Sequence, residues 1–91
     1  MSVTIRIPTQ LRELSGGASE VSVDGGTVKE ALAALDAAHP GFAGRLHDDD
    51  GNLRRFVNVF LDDEDIRFLD GVDSPVKDGD VLSIDPAVAG G

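Results

Sequence analysis

Thr27-Val28-Lys29-Glu30-Ala31-Leu32-Ala33-Ala34-Leu35-Asp36-Ala37-Ala38-His39-Pro40-Gly41 is the stretch that decides the fold. Thr27 with Glu30 three residues later is a capping box. The hydroxyl can accept from a first-turn amide, and the carboxylate can reach back to the amide of the cap. Val28, Ala31, Leu32, Leu35 and Ala38 then recur at helical spacing and form one apolar stripe. Pro40-Gly41 stops the helix after His39. A helix with a single apolar face must lie on another element, and both flanks offer strands.

Upstream, Val3, Ile5 and Ile7 alternate with Thr4 and Arg6, the period of a half-buried strand that Pro8 ends. Val21 and Val23 alternate again beyond the turn composition Ser15-Gly16-Gly17-Ala18, so the two runs read as a hairpin with a broad loop. Downstream, Phe42 to His47 has room for one short turn, and Asp48-Asp49-Asp50-Gly51-Asn52 reads as a solvated loop. Phe56 to Leu61 is the strongest strand, with Val57, Val59 and Leu61 on one face and Phe56, Asn58 and Phe60 on the other. Asp62 to Asp65 turns the chain, Ile66 to Phe68 is a short strand, and Asp70 to Pro75 is loop. Val81 to Asp85 is the last strand. The order predicts an α+β domain, a mixed sheet of about four to five strands around one main helix. A crossing helix would let the two terminal strands lie side by side.

The chain has 91 residues, enough for one domain with a small core and too few for a deep cleft. Seventeen Asp and Glu against eight Lys and Arg give a net charge of -9, which disfavours a phosphate backbone and favours a basic protein partner. With no cysteine there is no disulfide, thiolate zinc site or iron–sulfur ligand set, and the composition suits the cytoplasm. No signal-peptide core and no membrane-spanning apolar run is expected.

The chain closes on Pro86-Ala87-Val88-Ala89-Gly90-Gly91, small residues following the turn Asp78-Gly79-Asp80 and the last strand. Gly-Gly also stands at 16-17 and 25-26, where turns explain it, so its position after that strand carries the signal. The expectation is a single domain over 1-91 whose flexible tail, 86-91, presents the Gly91 carboxyl as a reaction handle. Six extended residues reach roughly 20 Å beyond the body.

Three segments together resemble a known family: Phe56-Val57-Asn58-Val59-Phe60-Leu61-Asp62-Asp63, Val76-Lys77-Asp78-Gly79-Asp80, and the terminal Pro-Ala-Val-Ala-Gly-Gly. They look like the C-terminal half of MoaD/ThiS-type sulfur carriers, and Val3 to Pro8 extends the likeness over nearly the whole chain. Arg55-Phe56-Val57-Asn58 followed by Asp63-Glu64-Asp65-Ile66-Arg67-Phe68 is most similar to the carriers that serve cysteine synthesis. The resemblance implies a β-grasp, ubiquitin-like fold. It also implies that a partner E1-like enzyme uses Mg-ATP to adenylate the Gly91 carboxylate, which a sulfur donor then converts to a thiocarboxylate. Gly91 would be the sulfur attachment point, with Gly90, Ala89 and Val88 threading into the partner. The acceptor enzyme would be a PLP-dependent cysteine synthase or a thiazole-synthase-like enzyme, and a protease would release a cysteine product. Molybdopterin and thiosugar acceptors stay open. The carrier would bind no cofactor or metal, would supply no catalytic side chain, and would be a monomer on its own.

Phe60, and less so Phe56, would face the open side of the sheet as a partner interface. Arg54, Arg55 and Arg67 read best as a solvated face, and His39 and His47 have no visible nucleophile to serve. The acidic runs do not match a calcium loop: with Gly51 at the sixth position, Leu46 falls first and Val57 twelfth. Two rival functions share this sequence. A ubiquitin-like modifier would join Gly91 to a lysine of another protein, and a passive interaction domain would not use Gly91 at all.

Overall fold

The computed structural model describes residues 2–55 and 57–86. Five strands form one mixed sheet: β1 (Ser2–Arg6), β2 (Glu20–Asp24), β3 (Val57–Leu61), β4 (Glu64–Asp65) and β5 (Val81–Pro86), in the spatial order β2-β1-β5-β3-β4. β1 pairs antiparallel with β2, as the hairpin reading expects, and parallel with β5. The first and last strands are therefore neighbours at the centre of the sheet. β3 runs antiparallel to both β5 and β4.

Helix α1 (Val28–Ala38) lies across this sheet, and the shorter α2 (Phe42–Leu46) follows it. The capping box forms with one change. Thr27 Oγ1 accepts from the Glu30 amide at 3.2 Å, but Glu30 Oε1 accepts from the amide of Gly26 at 2.8 Å, one residue before the cap. Val28, Ala31, Leu32 and Leu35 are buried against Val3, Ile5, Val59, Leu82 and Ile84. The apolar stripe ends there: Ala38 is exposed, and Phe42 and Leu46 of α2 are the buried residues that follow. Asp36 on α1 caps α2, its Oδ1 accepting from the amides of Gly41 at 3.2 Å and Ala43 at 2.9 Å.

The segment Ile66 to Phe68 corrects the sequence expectation. It is a 3₁₀ turn, and the short edge strand is Glu64–Asp65 instead. Asp65 Oδ1 accepts from the Arg67 amide at 2.9 Å, giving the backbone a local partner that competes with a strand ladder. The change of period separates two apolar side chains. Alternation would put Ile66 and Phe68 on one face, but the tighter turn buries Ile66 to 2% and leaves Phe68 82% exposed. Two expected loops also hold 3₁₀ turns, Thr9–Leu11 and Gly71–Asp73.

The two internal Gly-Gly pairs have structural reasons. Gly16 and Gly17 turn through φ of 68° and 92°. A Cβ on Gly25 would sit 2.8 Å from the Ala31 backbone nitrogen, so the chain needs a bare α-carbon to pass α1.

Candidate functional site

β5 is the element that delivers the end of the chain, and contacts at both of its ends fix its place. At its start, the Asp78-Gly79-Asp80 turn docks on β1: Asp78 Oδ1 accepts from the Ser2 amide at 2.8 Å, and the Gly79 amide donates to the Ser2 carbonyl at 2.9 Å. The Thr4 amide donates to the Asp80 carbonyl at 3.0 Å, which begins the parallel pairing. Asp62, in the β3–β4 turn, holds the same point from the other side. Its amide donates to the Val81 carbonyl at 2.7 Å, and its Oδ1 accepts from the Val81 amide at 3.1 Å.

β5 then runs between β1 and β3 with Leu82 and Ile84 buried, and its last two residues, Asp85 and Pro86, register against Asn58 and Val57. β5 thus extends one residue into the stretch read as tail. On the adjoining β3, the Arg67 guanidinium donates to the Val57 carbonyl at 3.4 Å and to Asn58 Oδ1. β1 flanks β5 as far as Ser83, and beyond it the last two residues of β5 are held by β3 alone. The expected site residues Gly91, Gly90, Ala89, Val88 and Phe56 lie outside the described residues.

Phe60 is half-buried and alternates with the buried Val57 and Val59, which places it on the face away from α1. The register Arg6–Ser83–Phe60–Asp65 crosses four strands and continues to Glu20 on β2, so Phe60 is the aromatic member of a polar row. Arg6 and Glu20 pair across that face at 3.6 Å, with both side chains more than half exposed. A shallow depression of about 420 Å³ lies there, lined by Phe60, Ser83 and Asp85 with Arg6, Pro8 and Gln10. It lies beside β5, which contributes Ser83 and Asp85 to its lining.

Sequence reasoning passed over a second apolar feature, Phe68 at 82% exposure with Leu69 at 39%. The spacing reads Phe68 as strand, whereas the Asp65 side-chain bond to the Arg67 amide and the Leu69 amide donating to the Ile66 carbonyl at 2.9 Å make the turn that sends it outward. Among the described residues there is no cluster of three His, Cys, Asp or Glu that could hold a metal ion. No helix among them is long and apolar enough to cross a membrane. What the described residues offer is a held strand end and, beside it, a shallow depression that includes Phe60.

Comparison with known proteins agrees with that geometry. The model of the ThiS family matches residues 5–91, through the terminal Gly-Gly. The sulfur carrier protein CysO of Mycobacterium tuberculosis is 45% identical over 93 aligned positions, covering all of both chains. Small archaeal modifier protein 3 of Haloferax volcanii is 41% identical over 68 residues, which are 75% of this chain and 73% of that one. Among solved structures, the Amycolatopsis orientalis BexX/CysO complex contains a chain matching with a TM-score of 0.91 and 47% identity, covering 98% of this chain and 99% of that one. The β-grasp architecture, the strand that leads to a terminal Gly-Gly and the match over nearly the full length make one conclusion: the chain belongs to the ThiS family.

Proposed function

We propose that this protein is a sulfur carrier that works through the C-terminal carboxylate of Gly91. The observation that carries the reading is the full-length likeness to CysO carriers, joined to a family match that runs through Gly91. The chemistry begins with activation, because an ionised carboxylate has no usable leaving group. An E1-like enzyme positions the Gly91 carboxylate so that one oxygen attacks the α-phosphorus of Mg-ATP, forming the acyl adenylate and expelling pyrophosphate. A hydrosulfide or protein persulfide sulfur then attacks the acyl carbon and AMP departs. With hydrosulfide one proton is released and the thiocarboxylate remains; a persulfide also requires reductive cleavage of its S–S bond by a thiol.

This chain's part is to be recognised and to present its end. The absence of a Cβ at Gly90 and Gly91 lets the backbone enter a narrow channel and keeps the attacked carbon uncrowded. Val88 and Ala89 are small enough to follow. The held end of β5 fixes where the chain departs, and Phe60 gives the partner an apolar contact beside it. Magnesium and ATP belong to the activating enzyme's side of the reaction.

Cysteine synthesis is the acceptor pathway that the CysO likeness favours, with the thiocarboxylate attacking an activated serine derivative on a PLP enzyme and a protease releasing the product. A thiazole-synthase-like acceptor is the alternative partner. The reading places the carrier in the cytoplasm and makes it a substrate of enzymes rather than one itself. Deleting Gly91 should abolish thiocarboxylate formation by the cognate activating enzyme; a truncated chain still activated at its new end would refute the reading.

The likeness to small archaeal modifier protein 3 supports a second outcome from the same acyl adenylate. There a lysine amine replaces sulfur as the nucleophile and an isopeptide bond forms. Isopeptide adducts in place of a thiocarboxylate, in a mixture holding both sulfide and candidate target proteins, would favour that modifier reading.

A further inference from the structure

In a chain with seventeen carboxylates and eight Lys and Arg side chains, most cations should find an acidic neighbour. One concavity among the described residues shows the opposite. A cleft of about 700 Å³ is lined by Lys29, Arg54, Arg55 and Arg67, half of those eight, and no Asp or Glu is among its described lining residues. The four come from separate places: the first turn of α1, the approach to β3, and the 3₁₀ turn after β4. Arg54 donates to the Gly44 carbonyl at 3.1 Å. Among the described residues only Arg67 of the four has a carboxylate partner, Asp65 at 3.7 Å, and its side chain stays 55% exposed. Between the cations lies an apolar floor that includes the buried Val57, Val59 and Ile66.

Val57 connects this cleft to the end of the chain, because it is the register partner of Pro86 at the close of β5. Whatever takes up the chain beyond Pro86 passes beside the cleft. Like charges gathered around one concavity repel each other, and an entering anion offsets that cost. Guanidinium groups bind carboxylates through paired N–H donors, and the spread of the cations over three elements suits several carboxylates better than one compact anion. The apolar floor suits a side chain between them.

We propose that this cleft receives an acidic segment of the enzyme that takes up the chain beyond Pro86, its Asp or Glu carboxylates pairing with Lys29, Arg54 and Arg55. The proposal rests on the carrier reading for the partner's identity. It also explains an orientation problem. A surface that is acidic elsewhere attracts a basic partner in many poses, whereas one cationic cleft that demands an acidic insert selects a single pose.

The test has two arms. In the first, the isotope-labelled chain is titrated with a hexaglutamate peptide and, separately, with inorganic phosphate while amide signals are followed. The peptide should shift the amides of Leu53, Arg54, Ile66 and Gly71. A Lys29→Glu/Arg55→Glu variant, altered at two exposed positions, should keep its spectrum elsewhere and lose about tenfold in affinity. In the second, the same variant should show a KM for the activating enzyme about tenfold higher with kcat unchanged. Peptide shifts absent from the cleft, equal binding by the variant, an unchanged KM, or phosphate binding more tightly than the peptide would each overturn the proposal. If the wild-type chain is not activated at all, the carrier reading falls, and the titration alone still decides whether the cleft takes an acidic segment.

Discussion

Gly25 leaves no space for a side chain, since a Cβ there would lie 2.8 Å from the backbone nitrogen of Ala31. Backbone of α1 cannot move aside without disturbing the core beneath it, so Gly25→Ala should cost about 1–3 kcal/mol. Urea unfolding would read this as a lower midpoint at unchanged slope. Asp62 makes the opposite demand. It is the only non-glycine among the described residues with positive φ, at 56°, and it is held there by its two bonds to Val81. Asp62→Ala loses the side-chain bond and keeps the strained backbone, which should cost about 1–2 kcal/mol in the same experiment. Asp62→Asn, which keeps an acceptor and tolerates the left-handed region, should recover much of the loss. These two positions also show the limits of reading residues in isolation. Gly25-Gly26 reads as a turn pair in the sequence, while the close approach that requires Gly25 exists only once α1 is packed.

At the scale of elements, the strands and α1 were legible because their periods are clean. Val3, Ile5 and Ile7 are all buried, as alternation demands, and Val28 to Leu35 bury one stripe. The segment after β3 is ambiguous in the sequence because its apolar spacing, Ile66 and Phe68, fits a strand as well as a turn. An aspartate bonding the amide two residues on breaks that tie, and such bonds depend on local geometry that spacing does not encode. The sheet's open face follows from the same alternation, and it yields a prediction that separates Phe60 from the core. Phe42 is fully buried, so Phe42→Ala should cost about 3–5 kcal/mol. Phe60 is half-buried, so Phe60→Ala should cost about 1 kcal/mol while weakening capture by the activating enzyme. Equal destabilisation by the two substitutions would place Phe60 in the core and remove it from the interface.

For the whole molecule, the net charge of -9 was plain from composition, but its distribution was not. Lys29, Arg54, Arg55 and Arg67 are scattered between positions 29 and 67, and the β-grasp topology brings them around one cleft. The same topology sets the first and last strands side by side at the sheet's centre, so the end of the chain leaves from the best-supported strand. On the proposed function, the domain serves to hold and present a short reactive end. With no cysteine in the chain, any sulfur it carries must be attached from outside. The most direct test is the mass of the intact carrier after incubation with its activating enzyme, Mg-ATP and sulfide, followed by fragmentation of the terminal peptide. The account predicts one oxygen replaced by sulfur, located on the carboxyl of Gly91. An unchanged mass with an enzyme of proven activity, or the added sulfur located anywhere other than Gly91, would contradict it.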